Sequence, residues 1–317
     1  MKFSFALVAL LLVPAMVIAQ TNAAPNQTAT QSGQAAGQTS SKPAATGAQA
    51  QPSSGAKKLP EAKSQEEFKA YQDAASKTNP AEMAAAADAF AAKFPNSELR
   101  EILYVRAMNL YQQGDNAEKE IDMGRKAIAL DPTDPQPLIH VASALAETTR
   151  DTDLDRQDRL NEGAKDAQAA IDNIETGLRI PPSASPEQVA AVKTSIVAMG
   201  YETLGVIEIN QKDYATAEQN LLKAAETRKG SPDASVYLRL SVAQDNLGKY
   251  PQALDSANKA VQLAPPGTVV QSLAKQQQSR LQKLVAAGPP AGSATPPAAA
   301  KPATTQPSGT TPPTPPH

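Results

Sequence analysis

Tyr201, Leu204, Gly205, Tyr214, Ala217, Leu221 and Ala224 are followed, in the same order and at the same spacing, by Tyr237, Leu240, Ser241, Tyr250, Ala253, Ala257 and Ala260. Small residues at helical spacing let two helices approach closely, and the larger apolar groups three or four positions away fill the sides of that contact. A hairpin built this way keeps an apolar face that it cannot bury alone. Stacking against another hairpin buries it, so the repetition restricts the chain to a helical array. No segment alternates apolar and polar residues as a half-buried strand does, and the folded part is expected to be all-α.

Helix boundaries are marked by chemistry. Ser64-Gln65-Glu66-Glu67 and Ser185-Pro186-Glu187-Gln188 fit the capping box, in which two side chains satisfy amides at a helix start. Asn79-Pro80, Asp134-Pro135 and Ser231-Pro232 place an N-cap residue before a proline whose missing N–H costs nothing at the first helical position. Gly114 and Gly248 stand where a left-handed residue would end one helix and turn the chain into the next.

The aromatic-x-x-Leu-Gly pattern, with an alanine about thirteen residues later, resembles the tetratricopeptide repeat, whose period is roughly 34 residues. That resemblance implies a right-handed superhelical solenoid of helical hairpins. The best copies span residues 198–231 and 234–267, with Arg228-Lys229-Gly230 absorbing a slight excess over the period. Degraded copies span 64–97, 101–134 and 135–178. In the second of these, Tyr104, Ala107, Tyr111, Ala127 and Asp131-Pro132 match, whereas Glu120 and Gly124 replace a small and a large apolar residue. The Phe94-Pro95-Asn96-Ser97 ending is similar to repeats of bacterial envelope-assembly proteins. A helix over 269–286 closes the array with a polar outer face, as a solenoid requires to stop growing.

Outside residues 64–287 the composition changes. Lys2 followed by an apolar run from Phe3 to Ala19, ending in small residues, reads as a secretory signal peptide over residues 1–19. Cleavage after Ala19 is expected, leaving no stable membrane span. Retention as an anchor is the alternative, since the run approaches the roughly 17 residues that can cross a bilayer. The chain has no cysteine, hence no lipidated cysteine, disulfide or thiolate metal site, and the expected location is periplasmic or secreted. Residues 20–63 and 288–317, rich in Gln, Ala, Ser, Thr, Gly and Pro, bury too little apolar surface to offset backbone ordering and are expected to be disordered.

Several functions are disfavoured by composition. A formal net charge of -2 provides no broad basic field for nucleic acid. Two histidines, His140 and His317, cannot make a histidine-rich metal site, and His140 on a helix is expected to be structural. Ser256-x-x-Lys259 matches a nucleophile pattern of penicillin-binding enzymes, but no K-T-G companion follows. Asp151, Asp153, Asp155 and Glu162 sit at positions 1, 3, 5 and 12 of a calcium-loop template. Arg156 in place of the turn glycine, with Arg159 nearby, favours a solvated acidic loop, so neither cofactor nor metal is expected.

By the resemblance, the first helix of each hairpin lines a concave groove. The implied lining residues are Arg106, Asn109, His140, Ser143, Glu202, Val206, Arg239, Val242 and Asn246. Such a mixed surface suits an extended peptide or a partner helix. The expected function is an exported, non-enzymatic scaffold for another protein of the cell envelope; the alternative is a structural spacer whose low-complexity ends associate with cell-wall polymer.

Overall fold

A computed structural model describes residues 57–287. The expected signal peptide, most of the expected N-terminal linker and the C-terminal tail lie outside the described residues. Among the described residues the chain forms eleven α-helices and no strand. They are α1 (Gln65–Ala75), α2 (Pro80–Lys93), α3 (Leu99–Gln113), α4 (Ala117–Leu130), α5 (Pro135–Thr148), α6 (Arg156–Asp172), α7 (Pro186–Asn210), α8 (Tyr214–Thr227), α9 (Ala234–Asn246), α10 (Tyr250–Leu263) and α11 (Val269–Ala287). Consecutive helices pack as antiparallel pairs and each pair stacks on the next. The odd-numbered helices also touch along the array, α1 with α3, α5 with α7, α7 with α9 and α9 with α11. They therefore form one layer, and α2, α4, α6, α8 and α10 back it. This is the tetratricopeptide-like architecture the repeats imply.

Most helix starts use the expected residues. Asn79 accepts from the amides of Ala81 and Glu82 at 3.0 and 3.1 Å, and Asp134 from Gln136 at 2.9 Å. The box at Ser185 closes in both directions, with Gln188 accepting a bond from the Ser185 amide at 2.8 Å. That start makes α7 a single helix of 25 residues, so the first helix of the best copy begins well before residue 198. At α1, Ser64 caps Glu67, but the Glu67 carboxylate accepts from the Lys63 amide rather than from Ser64. The Ser231-Pro232 expectation is corrected: Asp233 caps α9, bonding Ser235 at 2.7 Å and pairing with Arg228. Residues 57–63, expected to belong to the disordered linker, lie against the array. Pro60 is buried, Ala62 packs on the first core, and Lys57 makes an isolated parallel bridge with Arg179.

Three hairpins solve the same helix-helix contact with different distributions of volume. In α7–α8, a Cβ on Gly205 would meet Leu221 Cγ at 2.6 Å, so the leucine occupies the space. In α9–α10, Ser241 replaces the glycine and Ala257 the leucine. The smaller alanine leaves room for the hydroxyl, which donates to the Ala253 carbonyl at 2.8 Å. In α3–α4 the large residue has changed helices. Met108 stands at the glycine position and Gly124 at the leucine position, with the methionine sulfur 3.1 Å from where a Cβ on Gly124 would be. Val141 of α5 presses on the same glycine. Gly124 is thus a packed substitute in a copy that looks degraded in sequence.

Two further features recur at the same register. Lys126, Lys223 and Lys259 from the second helices lie over the rings of Tyr104, Tyr201 and Tyr237 from the first, 5.3, 5.1 and 4.4 Å from the centroids. Such ammonium–ring pairs add about 0.5–1 kcal/mol each at exposed sites. The tight turn within each of the α3–α4, α7–α8 and α9–α10 hairpins uses one left-handed residue, and the positions are Asp115 (φ 54), Lys212 (φ 65) and Gly248 (φ 72). Gly114, expected to fill this role, has φ -88.

The register sets two expected outcomes. Lys212→Gly, which relieves the left-handed strain, is expected to stabilise the chain by about 1 kcal/mol in urea denaturation. Gly205→Ser and Leu221→Ala are each expected to destabilise, the first by overpacking by about 1–3 kcal/mol. The double variant rebuilds the Ser241/Ala257 pair and is expected to be more stable than the sum of the two losses, with a coupling of about 1–2 kcal/mol. Strict additivity would contradict the shared-volume contact.

Candidate functional site

The odd-numbered helix layer brings part of the implied groove together. Ser143 and Glu147 of α5, Glu202 and Val206 of α7 and Arg239 of α9 line one narrow cleft, together with Ala146, Met199 and Thr203. The Arg239 guanidinium bonds the Glu202 carboxylate and lies 3.4 Å from Glu147 Oε1. Burial pushes the Glu202 carboxyl above its usual range, and Arg239 pulls the other way. Glu202 is 2% exposed, so it anchors Arg239 rather than presenting a surface of its own. Glu147 was not legible as a lining residue, because its role depends on Arg239 reaching back across α7.

The other implied residues are dispersed. Val242 and Asn246 follow Arg239 on α9, and Asn246 donates its side-chain amide to the Val242 carbonyl at 2.8 Å. Arg106 and Asn109 lie on α3, half-buried, and Arg106 Nε is enclosed without a hydrogen-bond partner. His140 is 3% exposed and does not reach a groove surface. Its Nδ1 lies 2.8 Å from Gln112 Nε2 and 3.7 Å from a Glu120 carboxylate oxygen. The misfit Glu120 noted in sequence therefore forms, with Gln112 and His140, a buried polar group between α3, α4 and α5.

The remaining chemical candidates resolve into structure. Ser256 donates to Gln244 Oε1 at 2.7 Å, while Lys259 covers Tyr237, so the pair does not form a nucleophile dyad. The equivalent polar pair in the previous hairpin is Asn220 with Glu208, at 2.8 Å. Ser256-x-x-Lys259 is thus the overlap of two repeat positions. In the acidic insertion, Asp151 pairs with Arg156 and Glu162 takes Arg125 through two bonds of 2.7 and 2.6 Å. Asp153 accepts from the Arg150 amide. Those acids are drawn to separate partners and do not converge on one point.

A second polar centre was not anticipated. Glu101 in the first turn of α3 and Asp131 and Asp134 of the α4–α5 turn bring carboxylate oxygens within 4.8 Å of one another. Arg179, from the loop between α6 and α7, contacts Glu101 at 2.8 Å and Asp131 at 2.5 Å, and also pairs with Asp134. Lys57 Nζ sits 2.5 Å from Asp131 and donates to Thr133 Oγ1 at 2.8 Å. Three acids at this spacing could ligate a divalent cation, but the guanidinium already fills the space among them. With two cations for three acids, one carboxyl is left to be neutralised by a proton. Burial, reinforced by Asp134 and Asp131 against the pull of Arg179, raises Glu101 to about 8. Burial also acts on Asp131, yet the bonds from Lys57 and Thr133 and the charge of Arg179 hold it below its ordinary value.

No family model matches the chain, and no curated protein matches it. Solved structures share a partial likeness. A crystal structure of MamA is 17% identical, covering 62% of this chain and 92% of that one, with a TM-score of 0.41. TTC0263, a thermophilic TPR protein of Thermus thermophilus, is 12% identical over 67% of this chain and 98% of its own, with a TM-score of 0.42. A MamA segment from Desulfovibrio magneticus RS-1 is 16% identical over 59% and 96%, with a TM-score of 0.35.

The buried acids set a pH dependence. Glu101 titrates at about 8 and Asp166, raised by burial and then by Glu162, at about 6; Asp134, Glu202 and Glu208 are also raised, burial being the first cause of each. Unfolded, all would titrate near 4. Between these values the folded chain holds more protons than the unfolded chain, so its stability falls as pH rises. Asp131 acts oppositely and removes stability in strong acid. The urea midpoint is expected to be highest near about pH 4 and to decline toward about pH 8. Glu101→Gln, which keeps an acceptor for Arg179, is expected to remove much of the decline above about pH 6. A midpoint independent of pH would contradict the assignment.

Proposed function

We propose that the chain is a non-enzymatic scaffold that binds an extended segment of another protein along its odd-numbered helix layer, and that it does so after export to the cell envelope. The observation that carries this reading is the cleft between α5, α7 and α9. Ser143, Val206 and the Arg239 ion-pair group set polar and apolar side chains of three helices beside one another, a mixed character that suits a peptide or helix. Arg239 is already neutralised by Glu202 and Glu147, so the cleft offers shape and hydrogen bonds rather than a strong single charge. The Ser256 and His140 geometries give no support to an enzyme reading.

Export is supported by the charged, apolar and small-residue order of residues 1–19. Among the described residues, no helix is long and apolar enough to cross a membrane. Photoreactive residues at Ser143, Val206, Val242 and Asn246 of the full chain, crosslinked in its native cells and identified by mass spectrometry, test the proposal. A recurrent adduct shared by these positions, weakened by Val206→Glu, is expected. Adducts equally frequent at Lys119 and Lys283, which are exposed on α4 and α11, would contradict a groove.

A further inference from the structure

Within the inner layer, α3 and α5 make the least contact of any neighbouring pair. The first core runs from Tyr71 to Ala127 through α1–α4, and the next begins at Leu138. A small cluster of Ile121, Val141, Ala144 and Leu145 connects α4 to α5. In the inner layer, α5 packs directly along α7, whereas α3 and α5 barely meet. What joins those two helices is polar at both ends: Gln112 with His140 toward one, and Glu101 with Asp134 through Arg179 toward the other. The inner side of this junction is thus held by directional polar contacts, which leaves the apolar α4–α5 contact of Ile121, Ile128, Val141 and Leu145 as its hinge line.

The segment before α1 crosses this junction. Lys63 Nζ donates to the Asn96 carbonyl at the end of the first hairpin, at 2.9 Å. Pro60 is buried and Ala62 rests on the first core. Lys57 then reaches Asp131 and Thr133 beyond the second hairpin, while its backbone bridges to Arg179 in the α6–α7 loop. Seven residues thereby tie α2, the α4–α5 turn and the loop leading to α7. Without Lys57, the Asp131 carboxylate would share a single guanidinium with Glu101 and Asp134.

We propose that residues 57–63 are a strap that locks α1–α4 at a fixed angle to α5–α7, with Lys57 and Arg179 as the two cations of its clip. Releasing Lys57 frees rotation at the polar junction while each side keeps its apolar core. Arg106 and Asn109 would then move relative to Ser143 and Glu147, changing the span of the inner layer. The groups facing the clip are Glu101 from α3, Asp131, Thr133 and Asp134 from the α4–α5 turn, Arg179 from the α6–α7 loop and Lys57 itself. Ionisation of Glu101 in alkaline solution adds a third negative charge and works in the same direction as losing Lys57.

The full chain, which has no cysteine of its own, allows the test by paired spin labels. Cysteines replacing Ala89 on α2 and Lys165 on α6 report across the junction, and cysteines replacing Lys165 and Lys283 report on one side of it; all three positions are exposed. In Lys57→Ala and Lys57→Glu the 89–165 distance distribution is expected to shift or broaden while the 165–283 distribution stays unchanged. Lys57→Arg and Lys58→Ala are expected to match the parent. An unchanged 89–165 distribution in both Lys57→Ala and Lys57→Glu would overturn the strap. Equal broadening of both pairs would overturn it too, because it would mean general loosening.

Discussion

The close approach of two helices within each hairpin is the constraint on which the array depends. At one crossing point the backbones come near enough that the combined volume of two facing side chains is limited, and the α3–α4, α7–α8 and α9–α10 hairpins each stay within that limit. Gly205 with Leu221, Ser241 with Ala257 and Met108 with Gly124 are three solutions of the same packing problem. Interiors packed at crystal-like density do not absorb an extra methyl group on one side without removing one on the other. Once that contact is set, the tyrosine–lysine pairs, the polar pairs Glu208–Asn220 and Gln244–Ser256, and the left-handed turn residues fall into register around it.

This explains which parts of the fold were legible in the chain. Ala217 and Ala253 are read directly because a residue with no freedom to grow looks the same in each copy. Gly124 was misread as decay because its compensation lies on another helix, in Met108, and further still in Val141 of α5. A pattern scored position by position cannot see volume moved between helices. Gly114 is expected from sequence to carry the left-handed torsion because glycine suits a positive φ best, yet the hairpin places that torsion one residue later, where Asp115 adopts it.

The candidate site was legible to a lesser degree. Resemblance placed Ser143, Val206 and Arg239 in a common layer, and these residues line one cleft. It could not show that Arg239 is anchored by Glu202 and approaches Glu147, because the ion-pair group draws on three helices remote in sequence. His140 has the polarity of a groove residue but lies inward, where Gln112 and Glu120 supply its partners. The cluster around Arg179 gave no local sequence signal. Its members come from a strap, a helix start, a turn and a loop, and the two cations, Lys57 and Arg179, lie outside every repeat copy.

The ends of a folded unit are usually assigned by where apolar residues stop, which here would be Ser64. Electrostatics moves that boundary outward to Lys57. A fragment begun at Ser64, whether by protease trimming or by choice of cloning limits, would keep every helix yet carry three clustered carboxylates against one guanidinium. Its secondary structure would look intact while its proton uptake and salt response differed from those of the longer chain.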